Sequence, residues 1–241
     1  TVGEGYKEQL IRRRVPEDKI EIVTNGVDRD LFVPQGTNGD VRVRYGMIPG
    51  CFVCAYVGTI GLAAGLDVVL RAAELLRQKG KRNIQLMLVG DGATREELEE
   101  EAQRRGLDNV IFTGRIDRGE VPDLLNAVDA CLVHLRRQEL FESVLPSKIF
   151  EAAGMGKPIV LGVKGSAAKL VTAANAGICI EPEDENALVA AIEMLAGDRE
   201  LAARLGKSGQ DYVRAHFDRD ELSRQYFDII REAIETCPIV V

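Results

Sequence analysis

Two residues three apart, Lys148 and Glu151, are the pair in this chain of 241 residues whose types and spacing could do chemistry. They lie in the stretch 139–158, Glu-Leu-Phe-Glu-Ser-Val-Leu-Pro-Ser-Lys-Ile-Phe-Glu-Ala-Ala-Gly-Met-Gly-Lys-Pro, which reads as a loop running into a helix. Pro146 disfavours helical geometry at Leu145, Ser147 is a good N-cap, and Glu151 follows one turn inside. A helix start gathers unpaired N–H groups and the positive end of the dipole, and Lys148 adds a full charge beside them. A phosphate would be stabilised there. Glu151 could accept hydrogen bonds from a sugar diol, and phosphate plus diol suggests a nucleotide. Spacing alone also allows a structural alternative, in which Ser147 only caps, Lys148 is solvated and Glu151 favours the dipole.

The loops expected around that stretch could hold such a ligand. Gly58-Thr-Ile-Gly61-Leu-Ala-Ala-Gly65 joins an apolar run to a helical one and places glycines where a phosphate could approach backbone N–H groups. Its spacing, G-x-x-G-x-x-x-G, is not the dinucleotide fingerprint, and Asp91 lies rather far along for the ribose carboxylate, which disfavours a dehydrogenase. The structural alternative is a tight strand-to-helix turn. Gly90-Asp-Gly92 and Gly114-Arg115-Ile116 close two further strands, with Asp91 a candidate helix cap and Arg115 a candidate surface ion-pair residue. His134 ends another apolar run, and Arg136 and Arg137 after it make a local positive cluster; a lone histidine there reads as structural.

The elements that must position these loops follow from hydrophobic periodicity. Apolar strands are expected at 52–57, 84–89, 110–113, 130–134, 158–161 and 178–181, separated by helices at 66–79, 94–105 (capped by Thr94), 120–127, from 147, 167–174 and 187–196. Such alternation implies a parallel sheet covered on both faces, a doubly wound α/β domain. Ligands bind such sheets beyond the carboxyl ends of the strands, where strand order reverses. Before the domain come a helical face of Tyr6, Leu10 and Ile11, a short strand at 20–24 and the Asn25-Gly26 turn. A Pro, Gln, Gly, Thr and Asn linker follows at 33–39. With no initiator Met before Thr1, the chain reads as a piece of a longer protein. The last part, 201–234, is expected to be helical, and its stripe of Leu222, Tyr226, Ile229, Ile230 and Ala233 needs a partner surface.

Composition narrows the classes. Hydrophobic residues at 46% and charged ones at 29% are ordinary globular values, and net charge is −7 without a basic, aromatic-interleaved stripe, which argues against nucleic acid. No run of eighteen apolar residues or signal peptide is visible, so a cytoplasmic protein is expected. Five scattered cysteines, Cys51, Cys54, Cys131, Cys179 and Cys237, read as reduced packing residues, and alternation sends the Cys51 and Cys54 sulfurs to opposite faces. Asp28-Arg-Asp30 matches a metal-binding D-x-D pattern, but a turn is the better reading, and no metal site is assigned.

Taken together, Asn25-Gly-Val-Asp28 with Phe32, Tyr56-Val-Gly-Thr-Ile-Gly61, Val89-Gly-Asp-Gly92, Phe112-Thr-Gly114, Lys148 through Pro158 and Ala176-Gly177 resemble the nucleotide-sugar domain of family-four glycosyltransferases of the GT-B type. The resemblance is closest to the bacterial branch that builds surface polysaccharides. It implies a six-stranded Rossmann-like sheet with extra C-terminal helices. Residues 1–38 would be the end of an N-terminal domain and a linker, 39–217 the donor domain, and 218–241 a helix packing across to the N-terminal domain. It implies a retaining enzyme that takes an NDP-sugar, UDP-linked first, as substrate, with no separate cofactor. The acceptor, a glycan or lipid-linked hydroxyl, would be held by the N-terminal domain, in an enzyme able to dock at the inner face of a membrane.

By position, Glu151 resembles the family's ribose-binding glutamate, and Gly114, Arg115 and Ile116 would flank the base. Ser143, Val144, Leu145, Pro146, Ser147 and Lys148 would face the diphosphate and donor sugar, with Gly58, Thr59, Gly61 and Leu62 on the other side of the diphosphate. Lys148 and Glu142 are the residues assigned to the chemistry. The chain departs from the family at Ser143, where its Glu-x7-Glu motif has glutamate with Glu142 one place early, and at Thr59 and Ala64, where an Arg and a Lys are usual. Lys148 is the candidate substitute clamp. Two other readings are a nucleotide-sugar 2-epimerase of the same architecture, using Glu142 and His134 as acid and base, and a non-catalytic nucleotide-binding module that needs a partner.

Overall fold

The computed structural model describes residues 1–36 and 39–236. Six strands form one wholly parallel sheet: β1 (Phe52–Val57), β2 (Ile84–Val89), β3 (Val110–Gly114), β4 (Ala130–His134), β5 (Ile159–Gly162) and β6 (Gly177–Cys179). Their order is β3-β2-β1-β4-β5-β6. The chain therefore builds outwards from β1 to β3, crosses back, and builds the other way from β4. The crevice between the ends of β1 and β4 is the switch point at which such sheets take ligands.

Helices cover both faces because the strands are apolar on both. In β1, Phe52, Cys54 and Tyr56 face a core completed by α3 (Asp67–Gln78), α4 (Arg95–Arg105) and α8 (Glu185–Gly197). Val53 and Ala55 face a second core with α5 (Val121–Ala127), α6 (Lys148–Gly154) and α7 (Ser166–Ala173). Strand alternation sorts one apolar run into two cores, and it separates Cys54 from Cys131 in the same way. Before the sheet lie α1 (Glu4–Arg12) and α2 (Gly39–Arg44), and after it α9 (Arg199–His216) and α10 (Arg219–Thr236). Val27 and Phe32 are buried in the second core.

Several expectations need correction. The segment 20–24 forms no strand; the Ile20 N–H donates back to Glu17 O (3.1 Å) and the Val23 N–H to Thr1 O (2.9 Å), and a strand needs a continuous neighbour. The helix expected over 201–234 breaks at Phe217 and Asp218, where Val27 N–H donates to Phe217 O and Arg219 N–H to Val27 O (2.8 and 3.1 Å). The Asp28 carboxylate ties its own turn, accepting from the Asp30 and Leu31 N–H groups and pairing with Arg219. No group of three or more metal-ligating side chains occurs among the described residues. No helix among them is long and apolar enough to cross a membrane. Cys237 lies outside the described residues.

Candidate active site

The site is built where β1 stops. Gly58 sits at φ +147°, a conformation open to glycine, and a Cβ there would lie 2.5 Å from Lys148 Nζ. The missing side chain is the space into which the lysine reaches. Its ammonium stands 5.1 Å from the centroid of the Tyr56 ring. Tyr56 is buried, burial pushes its phenol up to about 12, and its hydroxyl donates to Thr59 O at 2.8 Å. One aromatic therefore floors the cation and fixes the glycine loop. The loop is also held by Gly58 N–H to Val89 O (2.9 Å) and Ile60 N–H to Asp91 O (2.9 Å).

Glu151 lies one turn along α6, and it and Lys148 line a void of about 10 Å³ with Ala55, Val57, Cys131 and Val133. Burial holds the Lys148 ammonium below the usual lysine value, with the Glu151 charge working against that shift. Burial likewise raises Glu151 above the usual carboxylate range, opposed by Lys148, Arg118 and Arg219. Among the described residues neither side chain makes an ion pair within 4.0 Å. A charge withdrawn from water without a partner costs several kcal/mol when fully desolvated and less when half-buried, and folds tolerate such groups chiefly at functional sites. A cation and a carboxylate one turn apart, both half-buried and without an ion-pair partner among the described residues, are the chemistry that could meet an anion and hydroxyls.

The structure brings together Gly58, Lys148 and Glu151, with Thr59 exposed at the rim. Gly114 ends β3, two strands from β1, roughly 10 Å at sheet spacing. Arg115 beside it is exposed, and Ile116 packs into the second core. Gly61 and Leu62 line a different groove with Asp67, Arg71, Arg104 and Arg136. Glu142 is exposed and, with Ser143 and Leu145, lines a cleft against α1 rather than the Lys148 crevice. Val144 donates its N–H to Phe141 O (3.1 Å), so that amide is already used. Pro146 is half-buried.

Four local readings change. Ser147 has helical dihedrals and makes no side-chain cap, because the turn starts earlier: Ile149 N–H donates to Pro146 O and Glu151 N–H to Ser147 O. Thr94 sits at the N-cap of α4 but makes no side-chain cap; its hydroxyl donates instead to Ile60 O at 3.0 Å. Asp91 does not cap α4 either; its carboxylate accepts the Gly92 N–H. Arg136 and Arg137 are not a free positive cluster, since Arg136 pairs with Glu183 (3.1 Å) and Asp67 (3.4 Å) and Arg137 with Glu181 (3.4 Å). His134 is structural, as expected: Nδ1 lies 2.7 Å from Ala64 O, Nε2 accepts the Glu183 N–H at 2.9 Å, and burial lowers its basicity. The roles of Tyr56, Arg118 and Arg219 had no signal beyond a tyrosine next to a glycine loop.

Residues 46–212 match the family model described as Glycosyl transferases group 1. The chain belongs to that family. As a group 1 glycosyl transferase domain it is 28% identical to the alpha-D-kanosaminyltransferase of Streptomyces kanamyceticus, over 82% of this chain and 50% of that protein. It is 27% identical to the GDP-mannose-dependent alpha-(1-6)-phosphatidylinositol monomannoside mannosyltransferase of Mycobacterium tuberculosis (strain CDC 1551 / Oshkosh), over 90% of this chain and 57% of that protein. The sucrose-phosphate synthase of Thermosynechococcus elongatus superposes with a TM-score of 0.81 at 26% identity, covering 98% of this chain and 58% of that one. The chain thus spans about half the length of the curated relatives it matches. The doubly wound sheet is that of the GT-B C-terminal domain.

Proposed function

We propose that this chain is the donor-binding part of a retaining glycosyltransferase that takes a nucleoside diphosphate sugar, UDP-linked first, and passes the sugar to a glycan or lipid-linked hydroxyl in cell-surface glycan synthesis. The observation that carries it is the half-buried, unpaired Lys148 ammonium held against Gly58 at the switch point, one turn from the unpaired Glu151 carboxylate. Glu151 takes the ribose hydroxyls, Lys148 takes the diphosphate, and the base lies over Gly114. As the bond from the anomeric carbon to the diphosphate oxygen breaks, negative charge grows on the leaving group and Lys148 stabilises it electrostatically. The acceptor oxygen forms the new bond on the same face and its proton passes to the leaving diphosphate. No cofactor beyond the donor enters the scheme.

In the same reading residues 1–38 are the end of an N-terminal domain that holds the acceptor, with its linker, and the C-terminal helix from 218 packs across to that domain through Tyr226, Phe227 and Ile234, all exposed on α10. His134 has both ring nitrogens engaged, which removes one of the two acid/base groups that an epimerase would use. Incubating the full-length protein with UDP-sugars and GDP-mannose, then following the anomeric centre by NMR, tests the proposal. Transfer with retained configuration supports it; release of a 2-epimer, or no turnover of any nucleotide sugar, contradicts it.

A further inference from the structure

The loop that feeds α6 is gripped from two sides. Gly5 of α1 lies against it so closely that a Cβ there would sit 2.7 Å from Ser143 Cα, and one at Gly3 would sit 3.2 Å from Leu145 Cδ1. On the opposite side Gly165, at φ +68°, leads into α7 with its Cβ position 2.0 Å from Glu142 O, so both geometry and space demand glycine there. Between the two, Gln9 Nε2 donates to Ser143 Oγ at 3.1 Å, and Ser143 Oγ donates onward to Leu140 O at 3.2 Å. Ser143 is only 5% exposed, so this hydroxyl depends on those partners. Helix α1 buries none of its own residues, and a cleft of about 670 Å³ separates much of it from α7. Its hold on the loop rests on these few contacts, with no broad apolar face to take over if one is lost.

We propose that Gln9 and Ser143 are positioning residues that fix the loop at 139–145, and through it the place of the transferred sugar, without setting nucleotide affinity. The inference rests on the donor-domain reading given above. A donor runs base, ribose, diphosphate, sugar. Glu151 and Lys148 account for the ribose and the diphosphate, and although Glu142, Ser143 and Leu145 themselves line the α1 cleft, the loop runs straight into the start of α6 at Lys148, so where it is held sets where the sugar end of the donor lies. Ser143 also cannot serve the sugar as a free hydroxyl, because Gln9 and Leu140 already occupy it.

The test uses the full-length protein with Gln9→Ala, Ser143→Ala and the double variant, and two readouts. Amide hydrogen exchange across 139–145 is expected to rise in Gln9→Ala while the β-strands stay protected. Sugar transfer is expected to show kcat lowered about tenfold in each single variant, since small misplacements of a reacting group cost this much or more. The double variant should be no slower than the worse single one, and the affinity for UDP or GDP should stay within about twofold. Unchanged exchange in the loop would overturn the clamp, whatever the reaction proves to be. Additive losses in kcat, or nucleotide affinity falling in step with kcat, would overturn it as well. A wild-type protein that turns over no nucleotide sugar would sink the glycosyltransferase reading, and loop exchange would then decide the clamp by itself.

Discussion

The two ends of the sheet treat half-buried charge in opposite ways. At the end where the strands begin, Asp129 leads into β4 with one carboxylate oxygen accepting the Val53 N–H (2.8 Å) and lying 3.5 Å from Arg42 Nη1, and the other held by Arg199 at 2.6 Å. Arg42 also donates to Ala127 O and Cys51 O, and Arg199 stacks 4.8 Å from the Phe52 ring. Nearby Lys157 donates to Asn126 O at 2.9 Å. At the end where the strands finish, Lys148 and Glu151 are buried to a similar class and have no ion-pair partner among the described residues. Satisfied charge at one end serves the fold, whereas unsatisfied charge at the other costs stability, which the proposed function explains as stability given up for binding.

Four substitutions would break or sharpen that contrast. Asp129→Ala should have the largest effect, about 3 kcal/mol of unfolding free energy, because it leaves the buried Val53 N–H without an acceptor and the half-buried Arg42 guanidinium without its counter-charge. That figure takes the low end of the range, since the carboxylate is 21% exposed. Denaturant titration measures it, and UDP or GDP affinity of the folded protein should stay within error.

Gly58→Ala should cost about 1–2 kcal/mol from the strained φ, and by displacing Lys148 it should also lower nucleoside diphosphate affinity at least tenfold, read by calorimetry. Lys148→Met should leave thermal stability equal or raise it by up to about 1 kcal/mol, while weakening nucleoside diphosphate binding by roughly tenfold to a hundredfold through loss of a charged hydrogen bond. A clear loss of stability in that variant would place Lys148 with the structural charges.

The smallest effect is a pH dependence at Glu151. Burial raises its folded value above 4.5, so the protonated carboxyl is the form the fold prefers, and its contribution is full below 4.5 and lost as pH rises through the raised value. Glu151→Gln should therefore be more stable than wild type by a margin that opens above pH 4.5 and then levels. Melting temperatures taken across that range should show it; a margin independent of pH would count against a desolvated carboxylate.

How much of this was legible depends on the distance over which each feature is decided. The six strands are runs of adjacent apolar residues, and the sequence places them within a residue or two; β6 ends sooner than expected, at Cys179, before the turn at Pro182. Lys148 and Glu151 share one turn of one helix, so their closeness was legible in the spacing, while a role in binding rested on the family resemblance. Ser147 misled because the same Pro146 that marks the helix start begins the turn itself, which leaves the serine inside. The floor of the site could not be read: Tyr56 and Lys148 are far apart in the chain and meet only because α6 returns to the end of β1. Neither could the neutralisation of Arg136 and Arg137, whose acidic partners Asp67, Glu181 and Glu183 come from both halves of the sheet.

The central claim is that the Lys148 ammonium is left unpaired in order to meet a diphosphate. Calorimetric affinities of the wild-type and Lys148→Met proteins for a nucleoside, its monophosphate and its diphosphate test this most directly. Wild type is expected to prefer the diphosphate over the nucleoside by at least about tenfold, as for a charged hydrogen bond, and Lys148→Met to erase most of that preference while binding the bare nucleoside as before. A preference for the diphosphate that survives the substitution undiminished would contradict it.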